Sequence, residues 1–189
     1  MKTAGFQRIS LKNPDPSLVR EDTSAKSIAF FARVRPIWID KVFYEELKEV
    51  STIRGNRNVR LCLHSTPEDQ QHDMVILNRK GTLYPPHRHP GKTATYHVME
   101  GRLAMFSFDT SGDPVEAGVL GAGELYRFDQ AHFHMVMTLD DFTIFHETTI
   151  GPFLGDSDFI FPAWGPRAGD NAAMRQFSDR CVALLGSYA

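Results

Sequence analysis

Apolar residues fall along this chain in short bursts, and turn-forming residues separate most of them. The stretches 60–63, 74–77, 96–99, 103–108, 124–128, 133–137 and 142–146 are each rich in β-branched, aromatic and long aliphatic side chains. Between them stand turn formers: Asn78 to Gly81, Gly101, Ser111-Gly112-Asp113-Pro114, Gly121 to Gly123, and Asp140-Asp141. Strands repeating every 8 to 12 residues or so, with no helices between them, predict an antiparallel sandwich or barrel. A helical period occurs at two places. Phe43, Leu47 and Val50 share one face after Asp40, a residue suited to cap a helix start, while Glu45, Glu46, Lys48 and Glu49 take the other side. Residues 174–185 form a second amphipathic helix near the end. The opening 1–38 are polar, hold Pro14 and Pro16 and keep no period, which predicts an irregular arm. The run 161–166 is too apolar for a free tail and is expected to pack on the barrel.

The densest chemistry lies at Gly81-Thr-Leu-Tyr-Pro-Pro-His87-Arg-His89-Pro90. Pro85 and Pro86 bias the backbone before them toward extended geometry. In an extended segment, side chains two apart project to one face, so His87 and His89 point the same way and Arg88 points the other. A third imidazole, His134, sits in an aromatic and Met-rich strand. Small barrels gather ligands from neighbouring strands onto the interior face, and His134 is the expected third donor. Three neutral imidazoles suit Fe, Zn, Ni or Cu as divalent ions and leave coordination positions open.

Composition narrows the setting. The chain has 189 residues, 42% of them hydrophobic, enough for one medium domain with a real core. A formal net charge of −2, with no clustered basic run, offers no footprint for nucleic acid and favours a small-molecule partner. Cys62 and Cys181 lie far apart with no second Cys at ligand spacing, and both are expected to be reduced, buried thiols. With no signal-like start and no apolar run of about 18 residues, the expected location is the cytoplasm, away from membranes.

The motifs resemble those of the cupin superfamily. Gly81, His87, His89 and Gly101 match the first cupin motif, and His134 matches the histidine of the second. A closer resemblance is to the WbuC family of cupin fold metalloproteins. It rests on Arg60-Leu-Cys-Leu-His64, the segment 81–90, Gly101-Arg-Leu-Ala with Phe108-Asp109, Gly151-Pro152-Phe153 and Phe161-Pro-Ala-Trp-Gly-Pro166. The resemblance implies an all-β-dominated cupin jelly-roll barrel. Residues 1–38 form an arm, 39–170 the cupin domain with its leading helix, and 171–189 a C-terminal helix packed on the barrel. It also implies a metal held by His87, His89 and His134, a homodimer, and, for some relatives, a setting in surface polysaccharide synthesis with a sugar or nucleotide-sugar ligand. Two departures stand out: Ala94 occupies the place of the family's carboxylate ligand, and the usual Pro-x-Gly turn before the second-motif histidine is Asp129-Gln130-Ala131. The functions left open are a metal-dependent enzyme, a three-histidine iron enzyme like the thiol dioxygenases, and a binding or sensor cupin without turnover.

Several further residues are candidates for the pocket. His64 ends a strand and belongs either to the pocket rim or to a turn. His97 is nearest in sequence to the missing carboxylate, but strand parity turns it outward unless a bulge intervenes. Of the neighbours His146 and Glu147 only one can face inward, as fourth ligand or as general acid/base. Tyr84, Tyr96 and Tyr126 offer phenols or serve as core aromatics. His132 is read as a loop imidazole, Arg88 and Lys92 as solvated charges, and His72 as exposed beside Asp73.

Overall fold

Strand parity sorts the side chains of this chain into an outer core, an inner core and a cavity wall. The computed structural model describes residues 7–167 and 169–186. Its elements run β1 (Gln7–Arg8), β2 (Val19–Asp22), β3 (Ile28–Ala32), β4 (Ile37–Trp38), α1 (Lys41–Ile53), β5 (Val59–Cys62), β6 (Gln71–Arg79), β7 (Ala94–Glu100), β8 (Leu103–Phe108), β9 (Pro114–Leu120), β10 (Leu125–Arg127), β11 (Phe133–Thr138), β12 (Phe142–Ile150), a 3-10 turn (Gly155–Asp158) and α2 (Asn171–Leu185). A seven-stranded sheet, in the order β10-β7-β12-β6-β5-β3-β2, faces a three-stranded sheet, β11-β8-β9, while β1 and β4 form a small parallel pair. Apart from that pair and the parallel β3–β5 pairing, neighbouring strands are antiparallel. This is a β jelly-roll barrel.

Helix α1 begins where Asp40 Oδ1 accepts from the N–H groups of Val42 and Phe43, at 3.0 and 3.3 Å. Its apolar stripe, Phe43, Leu47 and Val50, packs on the outward residues Phe30 of β3, Val59 and Leu61 of β5, and Val75 and Leu77 of β6. Each fully buried aliphatic side chain contributes about 2 kcal/mol through removal from water. The alternate residues of the same strands, Phe31, Arg60, Cys62, Met74, Ile76 and Asn78, therefore face the barrel interior and line its cavity.

In the smaller sheet, β8 and β11 are covered on both faces. Leu103, Met105 and Val136 meet Tyr96, Val98 and Phe145 inside the barrel. Phe106, Phe108, Phe133 and Met135 meet Phe177 and Cys181 of α2, with Trp164 beside them. Two-sided burial explains why 103–108 is apolar at five of six positions, with Ser107 the exception and all six residues buried.

Two features differ from the sequence reading. The N-terminal segment supplies β2 and β3, and all five residues of β3 are buried between β2 and β5, where an irregular arm was expected. Strand β9 lies within a stretch that offered no strand signal: it is an exposed edge strand containing Gly118, and Val115 and Val119 are open to solvent. Among the described residues no helix is long and apolar enough to cross a membrane.

Candidate metal centre and its cavity

The segment holding His87 and His89 is extended and hydrogen-bonded on both edges. His87 exchanges two backbone hydrogen bonds with His134 at the start of β11, at 3.1 and 2.8 Å, and Arg88 exchanges two with Ile160, at 3.0 and 2.9 Å. Pairing on both sides flattens the segment, and parity then sends the His87 and His89 rings to the face that His134 shares. The three ring centroids lie 4.6 to 5.4 Å apart, and one nitrogen of each imidazole falls within 4.8 Å of the other two. Arg88 projects oppositely, its guanidinium 5.1 Å over the Phe133 ring.

Tautomers follow from the partners. Nδ1 of His87 lies 2.9 Å from the Pro85 carbonyl oxygen, and Nδ1 of His89 lies 2.7 Å from that of Asp158. A carbonyl only accepts, so both Nδ1 atoms carry the proton and both Nε2 atoms keep a free lone pair. His134 differs: it is buried, stacked on Phe128 with centroids 4.2 Å apart, and neither ring nitrogen has a partner. Each unsatisfied buried polar atom costs about 1–3 kcal/mol, and a bound cation would relieve one of them. Burial pushes His87 down to about 4, offset in part by the Pro85 carbonyl. It also drives His134 far below its ordinary 6.5, with the neighbouring His87 and His89 adding to the effect. Burial lowers His89 as well, so all three are neutral donors near pH 7. A first-row metal about 2.1 Å from each nitrogen needs donors roughly 3.3 Å apart, inside the 4.8 Å within which the three nitrogens lie. The donor set therefore fits a divalent transition-metal ion.

The trio lies in the wall of a cavity of about 510 Å³. Register decides between His146 and Glu147. On β12, Glu147 pairs across from Tyr96 and lines the cavity with Phe145 and Thr149. His146 points outward, 3.3 Å from an Asp73 carboxylate oxygen, and pairs with the equally outward His97. His146 is therefore corrected from pocket candidate to outer-face residue. The irregularity of the β7–β12 pairing falls between Ile144 and Phe145, so it leaves the parity of His97 unchanged. The Tyr96 hydroxyl donates to Glu147 Oε1 at 3.2 Å. Burial pushes the Glu147 carboxyl up to about 7, while the Tyr96 hydrogen bond and the Arg60 charge pull the other way.

His64 is buried and stands in the cavity wall, its Nδ1 donating to the Asp73 carbonyl at 3.2 Å. His72 overturns its reading as exposed: it is 5% exposed and stacks on His64 at 4.0 Å. Its Nε2 donates to the Pro67 carbonyl at 3.1 Å. Burial, with the adjacent His72, pushes His64 down to about 4. Lys92 is not solvated either. Its ammonium donates to Asp158 Oδ1 and to the Pro152 carbonyl, each at 2.5 Å, and the side chains are 12% and 4% exposed. The same Asp158 holds His89 through its carbonyl, so the ion pair steadies a member of the trio. His132 lies in the loop as read, its Nδ1 2.7 Å from Asp129 Oδ2. Tyr84 reaches the cavity, hydrogen-bonded to Asn78 and Asn58, whereas Tyr126 bonds Glu116 on the outside. Cys62 and Cys181 are free and buried, and burial raises both thiols, to about 11 and about 12.

The sequence reading missed Asp158, Phe159 and the inward role of Arg60. Asp158 and Phe159 follow a Gly-Pro turn and lack a strand pattern, while Arg60 was legible as the residue two before Cys62 on an alternating strand.

Residues 39–120 match a family model described as a domain of unknown function, DUF6016. No curated protein matches the chain. Solved structures overlap it in part. The capsular polysaccharide assembling protein CapF from Staphylococcus aureus is 15% identical with a TM-score of 0.47, over 56% of this chain and 30% of that one. Oxalate decarboxylase from Lactobacillus farciminis, as its formate complex, is 16% identical with a TM-score of 0.41, over 50% and 28%. Procruciferin, the 11S globulin of Brassica napus, is 15% identical with a TM-score of 0.40, over 44% and 21%. This chain thus spans less than a third of the length of each of these three. Its own barrel carries a histidine trio that fits a metal ion.

Proposed function

We propose that this chain is a cupin of the WbuC type in which His87, His89 and His134 hold one divalent first-row transition metal and the adjoining cavity admits a small polar molecule. The observation that carries the reading is His134: an imidazole buried without a partner, facing two histidines whose tautomers leave Nε2 free. When bound, the metal supplies a Lewis acid with coordination positions open to water or ligand. The chain's own groups do the rest. Glu147 holds or releases a proton at its carboxyl near neutral pH, and Tyr96 orients it. His64, stacked and neutral, stands in the cavity wall. Tyr84, Asn58 and Asn78 offer hydrogen-bonding groups to a hydroxylated ligand, which accords with the sugar-related setting that the WbuC resemblance implies.

A second reading is a ligand-binding cupin without turnover. Ala94, buried on the inner face of β7, favours it, since the trio has no carboxylate donor among the described residues. Metal content of tag-free protein, measured by mass spectrometry, tests the main reading. About one iron, zinc, nickel or copper per chain, lost in a His87→Ala/His134→Ala variant, is expected. A wild type that stays metal-free after anaerobic loading would refute it. Turnover by the loaded protein separates the first reading from the second.

A further inference from the structure

Arg60 lines the cavity without a direct ion pair among the described residues. It alternates inward on β5 with Cys62, while Val59 and Leu61 face α1. Its guanidinium is always protonated. Nε is buried and has no hydrogen-bond partner, and among the described residues no carboxylate lies within ion-pair distance of the side chain. The nearby acids are engaged elsewhere. Asp22 accepts from the Ser24 N–H and hydroxyl at 3.0 and 2.6 Å, Glu147 accepts from Tyr96, and Asp158 is paired with Lys92. Arg60 is half-buried, with Nε shielded from water and its terminal nitrogens open to the cavity, so an anion entering from outside the chain would find a partly desolvated cation with free donors.

The surroundings narrow the anion. Phe31, Met74, Ile76 and Phe145 make much of the nearby wall apolar. A planar guanidinium matches a planar carboxylate through two parallel hydrogen bonds. A phosphate would call for a second free cation, and Lys92 is already committed to Asp158. We infer that Arg60 is a carboxylate-binding residue of this cavity, and that the natural ligand is a small carboxylic acid with an apolar or mixed body. The inference rests on the proposed cavity ligand but not on the metal.

The test uses full-length protein, both chelator-treated and metal-loaded, titrated calorimetrically with benzoate and hexanoate against benzamide and hexanamide. In the metal-free wild type the acids are expected to bind at least tenfold more tightly than the amides. Arg60→Gln should lose that preference and Arg60→Lys should recover part of it, with metal content unchanged in both. Equal binding of acid and amide by the wild type, or no binding of either, overturns the inference without recourse to any variant. Acid binding that Arg60→Gln retains, including binding seen only in loaded protein, also overturns it, because the carboxylate is then held elsewhere. Arg60-dependent binding of inorganic phosphate tighter than that of benzoate would overturn the ligand class. Acid binding that depends on Arg60, in a protein that takes up no metal, supports this inference and sinks the metal reading alone.

Discussion

Replacing Glu147 by Gln removes a charge that the cavity resists while keeping the shape and the hydrogen bond to Tyr96. The carboxyl rises from an ordinary 4.5 to about 7, with burial as the main cause. For an acid raised on folding, the native state binds the proton more tightly than the unfolded chain does. Stability is therefore favoured below pH 4.5 and is lost as pH rises through about 7. At about 1.4 kcal/mol per tenfold change in proton affinity, the full penalty above pH 7 is at most about 3.5 kcal/mol. Glu147 borders the cavity and keeps part of its surface open, so water there reduces the penalty to roughly 1–2 kcal/mol. The Gln variant carries no such penalty. In metal-free protein its melting temperature should match the wild type near pH 4.5 and exceed it by about 2–8 °C at pH 8, given roughly 2–4 °C per kcal/mol for a chain of this size. Thermal unfolding followed by circular dichroism from pH 4.5 to 8 measures the difference. A gap that does not vary with pH, or a less stable variant at pH 8, would refute the assignment of Glu147 as a buried, proton-sharing acid.

Two further substitutions probe the support of the trio. Lys92→Met leaves Asp158 buried beside only the Leu154 N–H, so calorimetry should show a loss of about 3–5 kcal/mol. Metal affinity should weaken too, because Asp158 orients His89; an unchanged affinity would separate the ion pair from the site. Ala94→Glu places a carboxylate in a fully apolar cluster with Phe128 and Phe145. The metal-free variant should melt lower than the wild type, and added metal should restore more stability to it than to the wild type; equal metal-induced shifts in the two would show that residue 94 does not reach the ion.

The parts of the fold that were legible in sequence are those whose burial is local. Asp40 with Phe43, Leu47 and Val50 specifies α1 because cap and stripe lie within one short stretch. The six residues of β8 announce a strand because both of its faces are covered. Strand β9 escapes because an exposed edge requires neither alternation nor large side chains, and β3 escapes because its polar neighbours dilute an apolar run of five. Within the site, the spacing of His87 and His89 fixed their common face, but joining them to His134 depended on a bridge between residues 47 apart in sequence. His72 was misjudged through its neighbour Asp73, although its parity with Met74 and Ile76 pointed inward. The choice of Glu147 over His146 required the register of β12 against β7, which no local pattern contains. The Lys92–Asp158 pair joins residues 66 apart and leaves no trace in either neighbourhood.

The central claim is that the three imidazoles share one ion. Anomalous diffraction collected at the absorption edge of the bound metal, on crystals of loaded protein, tests it most directly. The account predicts a single peak per chain, about 2.1 Å from Nε2 of His87, from Nε2 of His89 and from one ring nitrogen of His134. A peak elsewhere in the chain, or none from protein shown to carry metal, would contradict it.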